Sequence, residues 1–219
     1  MKVLLFGATG MVGQGVLREC LRDPDVERVV TLGRSATGVE DAKLREIVHR
    51  DMFDYASIES ELAGFDACFF CLGVSSFRMS EAEYTRLTYD LTMAAARTLA
   101  RLDPQMTFVY VTGAGTDSTE QGRSMWARVK GRTENALLRL PFKAAYMFRP
   151  GAIVPMHGVR SKTALYQSAY SITRPVLPLL QRLFPNAIVT TEQVGRAMLA
   201  VAKRGAPSPI LESRDIARY

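Results

Sequence analysis

The chain opens on Lys2-Val-Leu-Leu-Phe6, which runs directly into Gly7-Ala-Thr-Gly10-Met-Val-Gly13. The first stretch is apolar after its lysine, which predicts a short strand that is buried on both faces. Beyond the glycines, apolar residues recur at helical spacing from Val12 to Leu21. Strand, glycine turn and helix in immediate succession predict a site for the pyrophosphate of a dinucleotide.

The glycines of this turn have separate steric roles. The first allows the tight turn, the second lets the backbone approach the pyrophosphate, and the third lets helix and strand pack closely. The start of the helix adds free N–H groups and a partial positive charge. The cofactor contacts predicted in this turn are Gly7, Thr9, Gly10, Met11, Val12 and Gly13.

A second predicted strand, from Val26 to Leu32, ends in Gly33-Arg34-Ser35. The residue that closes this strand faces the adenosine ribose, where an acid favours NAD and an arginine pairs with the 2′-phosphate of NADP. Since Arg34 is present and no acid stands beside it, the sequence favours NADP, with NAD as the other option. A solvated loop arginine without a ligand is the alternative interpretation.

Strands and helices alternate through the rest of the chain. Strands are predicted over 46–50, 66–72, 107–111 and 144–148, helices over 57–62, 80–102, 124–139 and 190–203, and an edge strand at Ile210-Leu211. Ser80 and Thr190 each begin a capping box. The pattern predicts an α/β fold, a doubly wound parallel sheet of the Rossmann type, in a single domain of residues 1–219.

Other predicted contacts of the cofactor follow the later strands. Asp51 and Met52 come after the third strand and are predicted to border the adenine. The fourth strand ends at Gly73, where ligands of such sheets bind. Cys68 and Cys71 form a CxxC pattern in this strand, but residues three apart on a strand point to opposite faces. The pair is therefore interpreted as core packing and not as a redox pair.

Composition limits the function classes. The chain has 219 residues, of which 47% are hydrophobic and 23% charged, which is typical of one globular domain. No apolar run reaches the roughly 20 residues of a membrane span. The three cysteines and the absence of a signal-peptide pattern predict a cytoplasmic location. The net charge is +6, but the 28 basic residues are scattered singly, so nucleic-acid binding is not expected.

The region 152–190 departs from the alternating pattern and is predicted to border the substrate or an interface. Its apolar helical stretch, 161–184, is interrupted by Pro175 and Pro178. A stretch of this kind would roof a substrate cleft as a lid, contact a second subunit in a homodimer, or do both.

The chain resembles the atypical short-chain dehydrogenase/reductase superfamily of NAD(P)-binding, epimerase/dehydratase-like proteins. The matching motifs are Gly7-Ala-Thr-Gly10-Met-Val-Gly13, Gly33-Arg34, Cys71-Leu72-Gly73, Val109-Tyr-Val-Thr112, Arg128-Val-Lys130-Gly131 and Phe148-Arg-Pro150-Gly151. The Tat-interacting-protein-like branch is the most similar, through the sequences around Lys130 and Arg149. The resemblance implies that Cys71, Leu72, Gly73, Lys130, Pro150 and Gly151 bind the cofactor.

The resemblance also implies a catalytic Tyr-x-x-x-Lys pair with a serine upstream. Here the stretch reads Trp126-Ala-Arg-Val-Lys130, and the upstream position falls at Thr112 or Gly113. Lys130 would bind the nicotinamide ribose and Thr112 would hold the substrate oxygen. An indole N–H donates a hydrogen bond but is no acid or base near neutral pH. Trp126 therefore either stacks over nicotinamide or substrate, or packs within the protein.

Two functions follow from this departure. The first is an NADP-dependent oxidoreductase that acts on a small molecule without the usual tyrosine. The second is a non-catalytic NADPH-binding protein with a regulatory or redox-sensing role. The candidate substitutes for the missing proton donor are His157, Tyr84 and Tyr89, and surface or packing roles are the alternative for each.

Overall fold

The computed structural model describes residues 1–157 and 187–219. Within them, seven parallel strands form one sheet in the order β3-β2-β1-β4-β5-β6-β9, and β7 pairs with β8 in a separate parallel ribbon. The strands are β1 Lys2–Phe6, β2 Arg28–Gly33, β3 Leu44–Val48, β4 Ala67–Phe70, β5 Thr107–Val111, β6 Ala144–Arg149, β7 Ala152–Val154, β8 Ile188–Thr190 and β9 Ile210–Glu212. This order confirms the predicted doubly wound sheet.

Helices cover both faces of this sheet. Their bounds are α1 Met11–Arg22, α2 Glu81–Thr85, α3 Leu91–Leu102, α4 Met125–Leu138, α5 Thr191–Arg204 and α6 Ser213–Ile216, with a 3-10 helix at Ala56–Glu61. One buried cluster joins the sheet to α1 and α5, and a second joins its other face to α3 and α4. No helix in the described ranges is long and apolar enough to cross a membrane.

The side chains of β4 show why both faces are buried. Ala67 and Phe69 belong to the cluster under α1 and α5, whereas Cys68 and Phe70 belong to the opposite one. Cys71 packs against the first cluster, so Cys68 and Cys71 lie on different faces of the sheet. The interpretation of the CxxC pattern as core packing is confirmed.

Local signals in the sequence set the starts of α2 and α5. The Ser80 hydroxyl accepts a hydrogen bond from the backbone N–H of Glu83 at 3.3 Å, and Thr190 does the same for Gln193 at 3.0 Å. Both predicted capping boxes are therefore confirmed. The helix after Ser80 is not uniformly α-helical, because residues Arg86–Asp90 form a π-helical turn between α2 and α3.

Three features differ from the prediction. Strand β3 begins and ends two residues earlier than 46–50, because it pairs with β2 from Val29–Leu44 to Gly33–Val48. The β7–β8 ribbon and α6 are additions that the periodicity did not indicate. Residues 152–157 and 187–190 belong to the predicted substrate or interface region, while the stretch 161–184 lies outside the described residues.

Candidate functional site

The turn between β1 and α1 has the geometry that its glycines predict. Gly7 has φ +79°, and a Cβ there would lie 2.8 Å from the backbone of Cys71. A Cβ on Gly13 would lie 2.1 Å from the Gly7 carbonyl oxygen. Gly10 donates its N–H to that same carbonyl at 2.9 Å and caps α1. Since side chains would fill this space, both close approaches require glycine.

The start of α1 is open to a negatively charged ligand. Among residues 1–157 and 187–219 no side chain caps the helix, and no acidic residue occupies its first turn. The N–H groups of Met11, Val12 and Gly13 have no partner within the helix, because they precede its first full turn. Gln14 donates its side-chain N–H to the Thr9 carbonyl at 3.1 Å, which holds the turn in place. Free N–H groups at the positive end of the helix dipole suit a phosphate.

A small cavity joins this turn to the end of β2. It has a volume of about 90 Å³ and its lining includes Gly7, Thr9, Arg34, Ser35 and Leu72. Arg34 is exposed, and its guanidinium forms no hydrogen bond or ion pair within residues 1–157 and 187–219. The predicted adenosine-ribose residues are therefore brought together beside the glycine turn.

A larger cavity of about 660 Å³ continues from the small one along α1. The two cavities share Ala8, Thr9, Ser35 and Thr37. Arginines and a histidine line them, and among the described residues neither lining contains a carboxylate. Arg18 is paired with Glu19 and His157 with Glu192, whereas Arg22 and Arg34 form no ion pair within the described residues and leave positive charge near a helix start that suits a phosphate.

The predicted adenine contacts are placed less favourably. Met52 is 5% exposed and packs in the core cluster under α3 and α4. The Asp51 carboxylate accepts the N–H of Phe53 at 2.9 Å and stays at the surface. Only the Asp51 side chain and the backbone of this stretch remain for a contact with the adenine.

The ends of β4 and β6 supply backbone at the carboxyl edge of the sheet. Cys71 donates its N–H to the Phe6 carbonyl at 3.0 Å, which presses Cys71 and Leu72 against Gly7. Pro150 accepts the N–H of Ala114 at 2.8 Å, and Gly151 donates to the Ser213 hydroxyl at 2.6 Å. Gly73 follows Leu72, and a Cβ there would meet no atom of the described residues within 4 Å. These residues border the carboxyl edge of the sheet.

Trp126, Lys130 and Thr112 lie together at the end of β5. Trp126 and Lys130 are one turn apart on α4, so they share a face. The Trp126 ring lies 3.5 Å from where a Cβ on Gly115 would stand. The Lys130 Nζ lies 3.4 Å from the Thr112 carbonyl oxygen and 5.8 Å from the centre of the Tyr110 ring. Burial lowers the pKa of Lys130 to about 8, although the Glu134 carboxylate partly opposes this.

The Thr112 hydroxyl is already engaged inside the protein. Its Oγ1 lies 2.6 Å from a Glu134 carboxylate oxygen and 3.0 Å from the Phe148 carbonyl oxygen. Both neighbours are acceptors, so the single hydroxyl hydrogen is donated to one of them. This geometry counts against the role predicted for Thr112, because no hydrogen is left to hold a substrate oxygen.

The three candidate substitutes for tyrosine have contacts of their own. Tyr84 is 2% exposed, and burial raises the pKa of its phenol. The Tyr89 ring packs against the Arg132 guanidinium at 4.2 Å. His157 lies 2.7 Å from the Glu192 carboxylate and lines the large cavity beside α1, not the end of β5. Packing and surface roles therefore fit these residues better than proton transfer.

A model of the NAD dependent epimerase/dehydratase family matches residues 3–121. The chain belongs to this family. The family is described as NAD dependent, and the glycine turn and Arg34 lie within the matched residues. The resemblance inferred from the motifs is confirmed.

Two curated relatives extend this likeness. Protein fmp52, mitochondrial, from Emericella nidulans is 31% identical over 157 residues, which are 69% of this chain and 66% of that protein. Protein FMP52-2, mitochondrial, from Scheffersomyces stipitis is 26% identical over 216 residues, which are 96% of this chain and 89% of that protein. The predicted cytoplasmic location is wrong on this comparison, since these relatives are named as mitochondrial proteins.

Solved structures agree on the fold. A short chain dehydrogenase family protein from Francisella tularensis has a TM-score of 0.68 at 14% identity, over 96% of this chain and 95% of its own. The Bordetella bronchiseptica enzyme WbmF, in complex with NAD+, has a TM-score of 0.67 at 14% identity, over 99% and 76%. At such identities the similarity shows the Rossmann fold.

Two residues that sequence reasoning missed lie directly behind this site. Glu134 is fully buried on α4, and Arg149 at the end of β6 is 8% exposed. The Arg149 Nε lies 3.1 Å from each oxygen of the Glu134 carboxylate. One signal was available, because Glu134 stands four residues after Lys130 and so shares its helix face.

Proposed function

We propose that the protein is an NADP-dependent oxidoreductase that acts on a small molecule without a catalytic tyrosine. The observation that carries this proposal is Arg34, exposed and unpaired in the described residues, in one cavity with the glycine turn. A guanidinium pairs with a phosphate through two parallel hydrogen bonds. Ser35, in the same lining, supplies a further hydroxyl donor.

The position of Lys130 supports a catalytic role for the site. A charged lysine that is partly buried at the end of β5 is well placed to bind the hydroxyls of a nicotinamide ribose. When bound, NADPH would supply a hydride. Trp126 offers an N–H without a hydrogen-bond partner in the described part of the chain, and it would orient an acceptor atom.

The absence of the tyrosine restricts the acceptor. A positioned acid or base contributes roughly 10²- to 10⁴-fold to the rate of proton transfer. Acceptors that need little help with protonation fit the site better than ordinary ketones. These are flavins, quinones and activated double bonds, for which positioning and electrostatics carry the rate.

A non-catalytic NADPH-binding protein is the second candidate, and Trp126 is the observation that favours it. Turnover separates the two candidates. The purified protein, mixed with NADPH and with quinones, flavins and carbonyl compounds in turn, is expected to oxidise NADPH with at least one class. Tight binding of NADPH without oxidation by any of them would assign the regulatory function.

Replacement of Arg34 by alanine tests the cofactor choice. Arg34→Ala is expected to weaken NADPH binding by about 10- to 100-fold, because a charge-assisted phosphate contact is lost. Binding of NADH should change less than about twofold, since NADH has no 2′-phosphate. Calorimetric titration with both cofactors measures the two affinities.

Arg28 provides the matched control, since it is an exposed arginine at the opposite end of β2. Arg28→Ala should leave both affinities unchanged. Equal weakening of NADPH and NADH by Arg34→Ala would contradict the proposed preference for NADP.

A further inference from the structure

A buried ion pair stands behind the end of β5. The Glu134 carboxylate is fully buried and receives the Arg149 guanidinium through Nε and Nη2. The Arg149 Nη2 also reaches the Ser118 Oγ at 2.5 Å, and Nη1 reaches the Glu212 carboxylate at 3.5 Å. No buried polar side-chain atom in the described residues lacks a hydrogen-bond partner. The pair is thus fully satisfied and geometrically fixed.

Stability alone does not explain such a pair. Removing two charges from water costs several kcal/mol per ion, and replacement by apolar side chains is often neutral or stabilising. Burial alone would lower the pKa of Arg149, but the hydrogen bonds and charge of Glu134 raise it above its ordinary value. The Arg149 guanidinium and the Glu134 carboxylate thus lie against each other in a place where a single buried charge would be unfavourable.

Thr112 links the ion pair to the candidate site. The Thr112 hydroxyl lies 2.6 Å from Glu134 Oε1, and the Thr112 N–H donates to the Phe148 carbonyl at 2.8 Å. The Thr112 carbonyl oxygen is the atom that the Lys130 Nζ approaches at 3.4 Å. Glu134 therefore contacts Thr112 directly, and Thr112 in turn contacts Lys130.

We infer that the Glu134–Arg149 pair is a positioning device that fixes Thr112, and through Thr112 the ammonium of Lys130, at the cofactor edge of the sheet. The hydroxyl of Thr112 links the pair to β5 and does not contact substrate. The inference rests on the proposed function in one respect, since it takes Lys130 as the group that meets the cofactor.

The groups that face Lys130 determine whether loss of the Glu134 charge raises or lowers the pKa of Lys130. Glu134 on the same helix is the anion, the Tyr110 ring and Thr112 carbonyl come from β5, and Arg149 from β6 is neutralised by Glu134. Burial disfavours the charged ammonium and the Glu134 carboxylate favours it. Loss of the Glu134 charge should therefore lower the pKa of Lys130 further.

Replacement of Glu134 by glutamine tests whether the charge of Glu134 affects the pKa of Lys130. The pKa of Lys130 is measured by NMR on protein with ¹³C-labelled lysine, free of cofactor, and Lys130→Met identifies the resonance. Glu134→Gln is expected to lower this pKa and to weaken NADPH binding at pH 7 by about 3- to 10-fold. Glu59→Gln, which changes an exposed ion pair with Arg101, is the control and should change neither.

Substitutions of Thr112 test whether its hydroxyl positions Lys130, and they change no charge. Thr112→Val, which keeps the shape and removes the hydroxyl, should weaken NADPH binding by about 3- to 10-fold, and Thr112→Ser should restore it. Because these variants retain the Glu134–Arg149 pair, they test the positioning role even if Glu134→Gln does not fold.

The outcomes separate the inference from the function it rests on. An unchanged pKa of Lys130 in folded Glu134→Gln, or equal NADPH affinities for Thr112→Val and Thr112→Ser, would overturn the positioning role. If the unaltered protein binds no NADPH while the pKa of Lys130 still falls in Glu134→Gln, the proposed function fails and the electrostatic link stands.

Discussion

Trp126→Tyr is expected to raise the rate of carbonyl reduction by NADPH about 10²- to 10⁴-fold, the range that a positioned acid contributes. A tyrosine at this position would share a helix face with Lys130, one turn away. The ammonium would favour the ionised phenol and so lower its pKa. The measurement is the initial rate of NADPH oxidation with a panel of ketones and aldehydes near neutral pH.

Trp126→Phe separates proton donation from a mere change of ring size. Phenylalanine matches the tyrosine ring but has no hydroxyl, so this variant should stay as slow as the unaltered protein. A rate increase in both variants would mean that Trp126 obstructs the substrate. No increase in either would mean that the site differs from the dehydrogenase arrangement at more than one residue.

Local signals explain what the sequence predicted correctly. Strand β1, its glycine turn and the capping boxes depend on residues within a few positions of one another, so a single sequence contains the whole cause. Strand β5 was likewise predicted with its observed bounds, Thr107–Val111, because an apolar run stands between Pro104 and Thr112. Helix α1 follows from the same short-range pattern.

Contacts between distant residues explain what was missed. The bounds of β3 depend on its register with β2, which no local pattern reveals. The Glu134–Arg149 pair joins a helix to a strand, and its charges read individually as solvated surface residues. The substrate role of Thr112 was implied by the family resemblance, whereas its hydrogen-bond partners on α4 and β6 became visible only in three dimensions.

Lys130→Met is expected to stabilise the protein while it removes its function. Burial lowers the pKa of Lys130 to about 8, whereas an unfolded lysine has a pKa of about 10.4. Between these values the unfolded chain binds more protons than the folded one, so the free energy of unfolding rises with pH. Below about pH 8 the whole cost of holding the buried ammonium is present.

Methionine has a similar length and no charge, so it removes this cost. At pH 7 the free energy of unfolding of Lys130→Met should exceed that of the unaltered protein by about 1–2 kcal/mol. This figure allows for the part of Lys130 that solvent reaches. The gain should vanish above about pH 10, where the lysine is neutral in both states. NADPH-dependent turnover should fall at least about 100-fold, because an electrostatic contact at the reacting centre is lost. Urea unfolding at several pH values and NADPH oxidation measure the two effects.

Lys143→Met is the matched control, since Lys143 is exposed and should change neither quantity. A fall in stability for Lys130→Met would show that the contact with the Thr112 carbonyl outweighs the cost of burial and that the lysine is a structural anchor. A rise in stability together with the loss of turnover would show instead that the fold retains a costly buried cation at the end of β5 because the chemistry of the cofactor edge requires it.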